Sequence, residues 1–323
     1  MLLPGILSYP IGLDISDLSF KFIQLKKQTG GFGIQALGRI DLPKGVIEKG
    51  EIKDEQKALE LLKKALQNPA FGKIKTDKIV ACLPETKTFV KLIKIRKGPN
   101  KPEDLIEMEI KKHIPLEFKN MHYDWQIIEE NADFQSVLVG ASLRKIVDQY
   151  TSFLDQAGFF IEALEIEPIS ICRSLLKEEF GHSLSGENNY IILDIGASRS
   201  SIVFYSKNTI LFTISVPLTV SEVKKNKDKT ISEFKKRIQE ALDFYEDNFL
   251  ERGKISKIII CGGGASVSEI KAEFESFSFS VEIGNPLINS PIKNFSKYFV
   301  APDYFLPSFA TAIGLTLLKT EDY

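Results

Sequence analysis

Apolar positions along this chain repeat every second residue in some stretches and with a helical period in others. Ile11 to Gln35 reads as strands of a first half-domain, with Gly30-Gly31 as a turn, and Lys78 to Leu83 as a buried strand stopped by Pro84. Between them, Asp54 to Leu66 carries Ala58, Leu61, Leu62 and Ala65 on one stripe, the pattern of an amphipathic helix. Thr88 to Ile95 is extended and β-branched. Pro102 with Glu103 and Asp104 opens a helix that turns Leu105, Ile106, Glu109, Ile110 and His113 to one side, and Pro115 ends it. Tyr123, Trp125 and Ile127 alternate as strand residues, and Phe134 to Ala141 is a further strand. Arg144 to Ala157 is a helix with Ile146, Val147, Tyr150, Phe153, Leu154 and Ala157 inward, closed by Gly158.

The second part of the chain follows a similar order. A strand ends at Glu167-Pro168, where a helix opens. Tyr190 to Leu193 and Ser201 to Tyr205 form a hairpin. The lysine-rich run Val223 to Lys229 reads as a solvated loop, and Thr230 with Glu233 as a capping box. Ile231, Phe234, Ile238, Leu242, Tyr245 and Phe249 then mark a long helix that ends before Gly253. Lys257 to Cys261 is a strand running into Gly262-Gly263-Gly264, and Ser266 with Glu269 reads as another capping box, which leaves Ser266 no ligand role. Pro286 to Pro302 is loop-rich. Phe309, Ala312, Ile313 and Leu317 suggest a last helix, with Ala310 and Gly314 small enough for close packing.

Composition narrows the class. A length of 323 residues favours two domains, and 43% hydrophobic with 26% charged residues is ordinary for a globular chain. A net charge of −1 supplies no field for nucleic acid. Cys82, Cys172 and Cys261 are far apart, without metal-like spacing, and read as buried thiols of a reducing cytoplasm. His113, His122 and His182 are equally scattered. Met1 to Pro10 lacks the basic start of a signal peptide, and no apolar run reaches the ~20 residues of a membrane span. Contact with a membrane is therefore expected through a partner, not by insertion.

The candidate chemistry lies in the hairpins. Asp194 ends a strand and is followed by Gly196, Ala197 and Ser198, small residues that let a phosphate approach backbone N–H groups. The triplet Leu13-Asp14-Ile15 recurs as Leu193-Asp194-Ile195, each leading into a second strand. Two acidic hairpins, a glycine turn and a duplicated order describe a nucleotide cleft between similar halves. Plainer roles stand beside these: turn caps for Asp14 and Asp194, a surface lysine at Lys21, a helix-start acid at Glu167, and a simple strand-to-helix turn at the glycines.

This set resembles the actin-like ATPase superfamily and, within it, the type IV pilus assembly protein PilM family. Ile11–Leu25 is similar to the first phosphate loop, Tyr190–Tyr205 to the second, Ile258–Ser266 to the adenosine loop and Pro307–Leu318 to the closing helix. Leu83-Pro84-Glu85-Thr86-Lys87, His113-Ile114-Pro115, Tyr123-Asp124-Trp125-Gln126, and Ile238-Gln239 with Leu242-Asp243-Phe244-Tyr245 carry the PilM-like part. The resemblance implies an α/β fold of duplicated actin-like (ribonuclease H-like) domains around a cleft, with a small inserted α+β subdomain. The expected division is 1–84 and 159–188 for the first half, 85–158 for the insert, 189–218 and 253–323 for the second half, and 219–252 for a helical subdomain.

It also implies site roles. ATP would be bound by Asp14, Lys21, Asp194, Gly196, Ala197, Ser198, Gly262, Gly263 and Gly264. Asp14 and Asp194 would hold Mg mostly through water, and Glu167 would orient the attacking water. Three departures from the family pattern point to weak ATP binding and impaired hydrolysis. Ser16 stands where relatives have Gly, Asp17 where they have a small residue, and Arg237 where they have Glu. An Asp17 carboxylate ~4 Å from a phosphate would cost up to about 4 kcal/mol at an effective dielectric of 20. The implied protein is a cytoplasmic scaffold of the type IV pilus machine, peripheral to the inner membrane. It would dock the N-terminal cytoplasmic tail of a PilN-like protein between the insert and the first half, and would connect to the assembly ATPase or platform proteins, with self-association as a further expectation. The alternatives are an active actin-like ATPase, a sugar kinase of the same fold, and an FtsA-like filament protein.

Overall fold

A computed structural model describes residues 8–28, 31–98, 102–113, 118–177, 189–268, 270–290, 292 and 303–318. Met1 to Leu7, Gly30, Ile114, Pro115, His182, Glu269, Pro291, residues 293–302 and residues 319–323 lie outside them, as do the expectations placed there.

The first half opens with an antiparallel meander, β1 (Ser8–Ser16), β2 (Ser19–Gln28) and β3 (Gly31–Asp41). A two-stranded ribbon follows, β4 (Ile47–Glu48) and β5 (Glu51–Ile52). The helix α1 (Glu55–Gln67) is capped by Asp54, whose carboxylate accepts from the Lys57 N–H, and it buries the expected stripe of Ala58, Leu61, Leu62 and Ala65. After β6 (Phe71–Gly72), β7 (Lys78–Leu83) returns parallel to β1. The insert comprises β8 (Thr88–Arg96), α2 (Pro102–His113), β9 (Met121–Glu130) and β10 (Phe134–Leu143). Then α3 (Arg144–Gln156), β11 (Phe160–Ile166) and α4 (Glu167–Leu175) complete a first sheet of order β11-β7-β1-β2-β3-β6 and its cover.

The second half repeats the plan with β12 (Asn189–Ile195), β13 (Ser200–Ser206) and β14 (Thr209–Val216). Two helices follow, α5 (Val220–Lys225) and α6 (Lys227–Phe249), then β15 (Lys257–Cys261), which runs parallel to β12 as β7 does to β1. The described chain closes with α7 (Ile270–Phe274), β16 (Ser280–Ile283) and α8 (Ala310–Thr316). The duplication extends to cross-strand register, since Asp14 sits opposite Lys21 and Asp194 opposite Ser201. The halves meet where α8 crosses α4 and β1. A Cβ on Gly314 would lie 1.8 Å from the Ser170 carbonyl oxygen, and one on Gly12 would lie 2.1 Å from that of Ala312. Neither contact admits a side chain.

Three expectations change. The run Val223 to Lys229 is helical, not a loop. Thr219 caps α5 through a capping box with Glu222, Asn226 caps α6, Lys224, Lys225 and Lys229 are exposed, and the half-buried Lys227 pairs with Glu273. Thr230 is accordingly no cap; it is buried inside α6 and donates to the Asn226 carbonyl. The third change concerns the insert, expected over 85–158. Helix α3 leaves it for the first core, where Ile146, Tyr150, Phe153 and Leu154 pack with Ile11, Phe20 and Leu62, and the Tyr150 hydroxyl donates to Gly50 O at 3.1 Å.

The insert strands join the second sheet, giving the order β16-β15-β12-β13-β14-β8-β10-β9. Lys91 pairs with Phe212, Leu92 is buried with Phe204 and Phe212, and Val90 with Ile192 and Val203. The buried Arg252 donates to the Glu129 carboxylate of β9 through both terminal guanidinium nitrogens, at 3.1 and 2.9 Å. On its other face the insert has a core of its own, built on Ile93, Ile95, Ile106, Ile110, Val137 and Val139.

Candidate functional site

The two hairpins face each other across a cleft of about 440 Å³. Asp14, Lys21, Glu167, Asp194, Gly196, Ala197, Ser198, Gly262 and Gly263 all line it. Gly264 does not: it backs Ile195, whose Cβ would be 2.3 Å from a Cβ placed there. Ser266, set aside in the sequence as a cap, lines the cleft and donates to the Gly263 carbonyl.

Each acid is held by a distinct environment. Asp14 is buried and accepts from Lys21 Nζ at 2.6 Å. Burial opposes the charge on Lys21, but the Asp14 charge and hydrogen bond, with Asp194 and Glu167 beyond, raise its pKa overall. Burial pushes Asp194 up to about 6; Lys21 opposes that shift, Asp14 adds to it, and a hydrogen bond with Cys261 lowers it again. Glu167, at the start of α4, is carried well above the usual carboxylate range by burial first and then by Asp14, Asp194 and Glu85. Its Oε1 accepts from the Thr311 hydroxyl at 3.2 Å. The cysteines are part of this symmetry: Cys82 is the next-to-last residue of β7 beside Asp14, its Sγ accepting from the Ile15 N–H at 3.3 Å, and Cys261 ends β15 beside Asp194.

Glu85 is a fourth acid, read in the sequence only as part of a family motif. One of its carboxylate oxygens is buried without a hydrogen-bond partner. Burial and then Asp194 push it up to about 8, against Arg199 and a hydrogen bond from Ser215. Arg199 also lines the cleft, and its neighbours Ser198 and Ser200 are too ordinary for the sequence to single it out.

The three departures from the family pattern are absorbed by the fold. Ser16 ends β1 and is not among the positive-φ residues, so no glycine is required there; its hydroxyl donates to Ser19 O at 3.0 Å. The Asp17 carboxylate accepts from the backbone N–H groups of Lys49 and Gly50, both at 2.9 Å, and thereby ties the β4–β5 ribbon to the first hairpin. Two such bonds spread its charge before any ligand meets it. Arg237 lies on the exposed face of α6, paired with Glu233 and Glu240, and is not among the residues lining the cleft.

Two turns of the cleft wall are closed to any side chain. Gly262 has φ +76°, and a Cβ there would lie 2.0 Å from Asp194 Oδ1. A Cβ on Gly196 would lie 2.2 Å from the Arg199 carbonyl oxygen, so this turn too is as tight as glycine permits. Among the described residues no three His, Cys, Asp or Glu side chains converge closely enough to hold a metal. The donor set suits magnesium, which keeps most of its waters and takes one or two carboxylates.

The family described as type IV pilus assembly protein PilM matches this chain over residues 12–217. Among solved structures, one described as the PilM-PilN type IV pilus biogenesis complex superposes with a TM-score of 0.77 at 17% identity, covering 96% of this chain and 98% of that one. The ethanolamine utilization protein EutJ from Carboxydothermus hydrogenoformans superposes with a TM-score of 0.52 at 13% identity, covering 98% of this chain and 90% of that one. At these identities the likeness is one of fold, and it is the α/β fold of duplicated actin-like domains. No helix among the described residues is long and apolar enough to cross a membrane. Over 12–217, which takes in the first acidic hairpin, the insert and the second acidic hairpin, the sequence carries the family's own pattern, and the chain belongs to the type IV pilus assembly protein PilM family.

Proposed function

We propose that this protein is a cytoplasmic scaffold of a type IV pilus or related secretion machine, attached to the inner membrane through a partner. Its insert and first half would take the N-terminal cytoplasmic tail of a PilN-like inner-membrane protein. The observation that carries this is family membership across the insert, joined to a fold shared over 96% of the chain with a protein solved in complex with PilN. Titration of fluorescent N-terminal peptides from inner-membrane proteins encoded beside it tests the proposal. Saturable binding of one such peptide, lost when its sequence is scrambled, is expected; equal response to native and scrambled peptides overturns it.

The cleft is read as a site for Mg-ATP that regulates or stiffens the scaffold. Asp14 and Asp194 would hold the hydrated metal, Lys21 and the small-residue turns the phosphates, and Gly262 and Gly263 the nucleoside side. ATP hydrolysis is the second reading, favoured by Glu167 at the cleft beside both aspartates. Burial and the neighbouring acids hold the Glu167 carboxyl well above its usual range, the direction in which a carboxylate becomes a stronger general base. Phosphate release by purified protein separates the two: loss of a measurable rate in Glu167→Gln supports an enzyme, and an unchanged background supports the scaffold.

A further inference from the structure

Four cationic side chains line the cleft: Lys21, Arg39, Arg199 and Lys224. Two are engaged by carboxylates, Lys21 with Asp14 at 2.6 Å and Arg39 with Asp41 at 2.7 Å. Lys224 is exposed on α5. Arg199 differs from all three. It is half-buried in the turn of the second hairpin, and its Nε donates to the Ser215 hydroxyl of β14 at 2.9 Å. Among the described residues it makes no ion pair.

We propose that Arg199 is a ligand-binding residue of this cleft, a guanidinium fixed from the second half to contact phosphoryl oxygens of a nucleoside polyphosphate. The inference rests on the nucleotide reading of the cleft and adds to it a residue and a ligand moiety. Several observations support it. The Arg199 backbone is set by the tight turn at Gly196, where a Cβ would meet the Arg199 carbonyl. The bond to Ser215 takes one of five guanidinium donors and leaves the terminal fork, which matches an oxyanion in two-point geometry. Glu85 and Ser215 flank this arginine, and Glu85 keeps an unpartnered buried oxygen of its own. The remaining acids around the cleft, Asp14, Asp17, Glu167 and Asp194, make a cation in this turn the group most able to offset repulsion of a polyanion.

Calorimetry with Mg-ATP and with adenosine, on wild type, Arg199→Ala and Arg199→Lys, tests the assignment. Arg199→Ala is expected to weaken Mg-ATP about ten- to a hundredfold and to leave adenosine affinity unchanged. Arg199→Lys is expected to recover only part of the loss, because an ammonium lacks the planar fork. Mg-ATP affinity in Arg199→Ala equal to wild type overturns the inference. So does an equal loss for both ligands, which would mark a structural role. Absence of Mg-ATP binding by wild type would instead reject the nucleotide reading itself, and this inference with it.

Discussion

At the scale of single residues, Glu85 links burial to pH. Its carboxyl is raised from 4.5 to about 8, first by burial and then by Asp194. Between those values the folded protein binds more protons than the unfolded chain, so stability falls as pH rises, and the full cost is present above about 8. Glu85→Gln removes the titrating group. The variant is expected to match wild type near pH 4 and to exceed it by roughly 2–4 kcal/mol at pH 9, in urea unfolding followed across pH. A constant difference between the two proteins would contradict this. Asp14 and Asp194 were legible in the sequence as a facing pair because a duplicated motif places them; Lys21, Gly262 and Gly263 line the same cleft, and Gly264 does not. Glu85 and Arg199 were not legible, because what distinguishes them is an unpartnered buried oxygen and a guanidinium fixed by the Ser215 hydroxyl, properties of the folded neighbourhood alone.

At the scale of elements, the crossing of α4 and α8 sets how the halves meet. Gly314 is the contact point, against the Ser170 carbonyl. Gly314→Ala forces the helices apart and is expected to cost about 1–3 kcal/mol in the same assay, the range of overpacked cores. A neutral substitution would mean that the crossing relaxes freely. Elements whose apolar period is clean were read correctly: Lys78–Leu83 matches β7 at both ends, and the stripe on α1 is the buried one. The failure at Val223 to Lys229 has a physical cause. A run of lysines looks solvated whether it lies in a loop or on exposed helix faces, and the caps Thr219 and Asn226 that decide between them lie before each helix. The insert misled differently. Its strands were legible, but sequence order does not say which sheet a strand joins, and β8 pairs with β14 across more than a hundred residues of chain.

At the scale of the whole molecule, that pairing places the insert strands in the second sheet. Chain connection and the packing of Val90 with Ile166 and Ile171 tie it to the first half, while Lys91–Phe212 pairing, the burial of Leu92 and the Arg252–Glu129 bridge tie it to the second. If closure of the cleft moves the halves, the insert travels with the second, and any groove between insert and first half changes width. Spin labels at Gln126 and Asp247 should therefore keep their separation when Mg-ATP is added, while labels at Gln126 and Lys63 should change theirs. The reverse pattern would place the insert with the first half. A partner tail and a nucleotide would in this way report on each other through one rigid body.

The central claim is that the two duplicated hairpins build one binding site, each contributing an acid. Calorimetric titration of Mg-ATP into wild type, Asp14→Asn and Asp194→Asn tests it most directly. Both variants are expected to bind at least about tenfold more weakly than wild type while keeping its fold. Wild-type affinity in either variant would contradict a shared site.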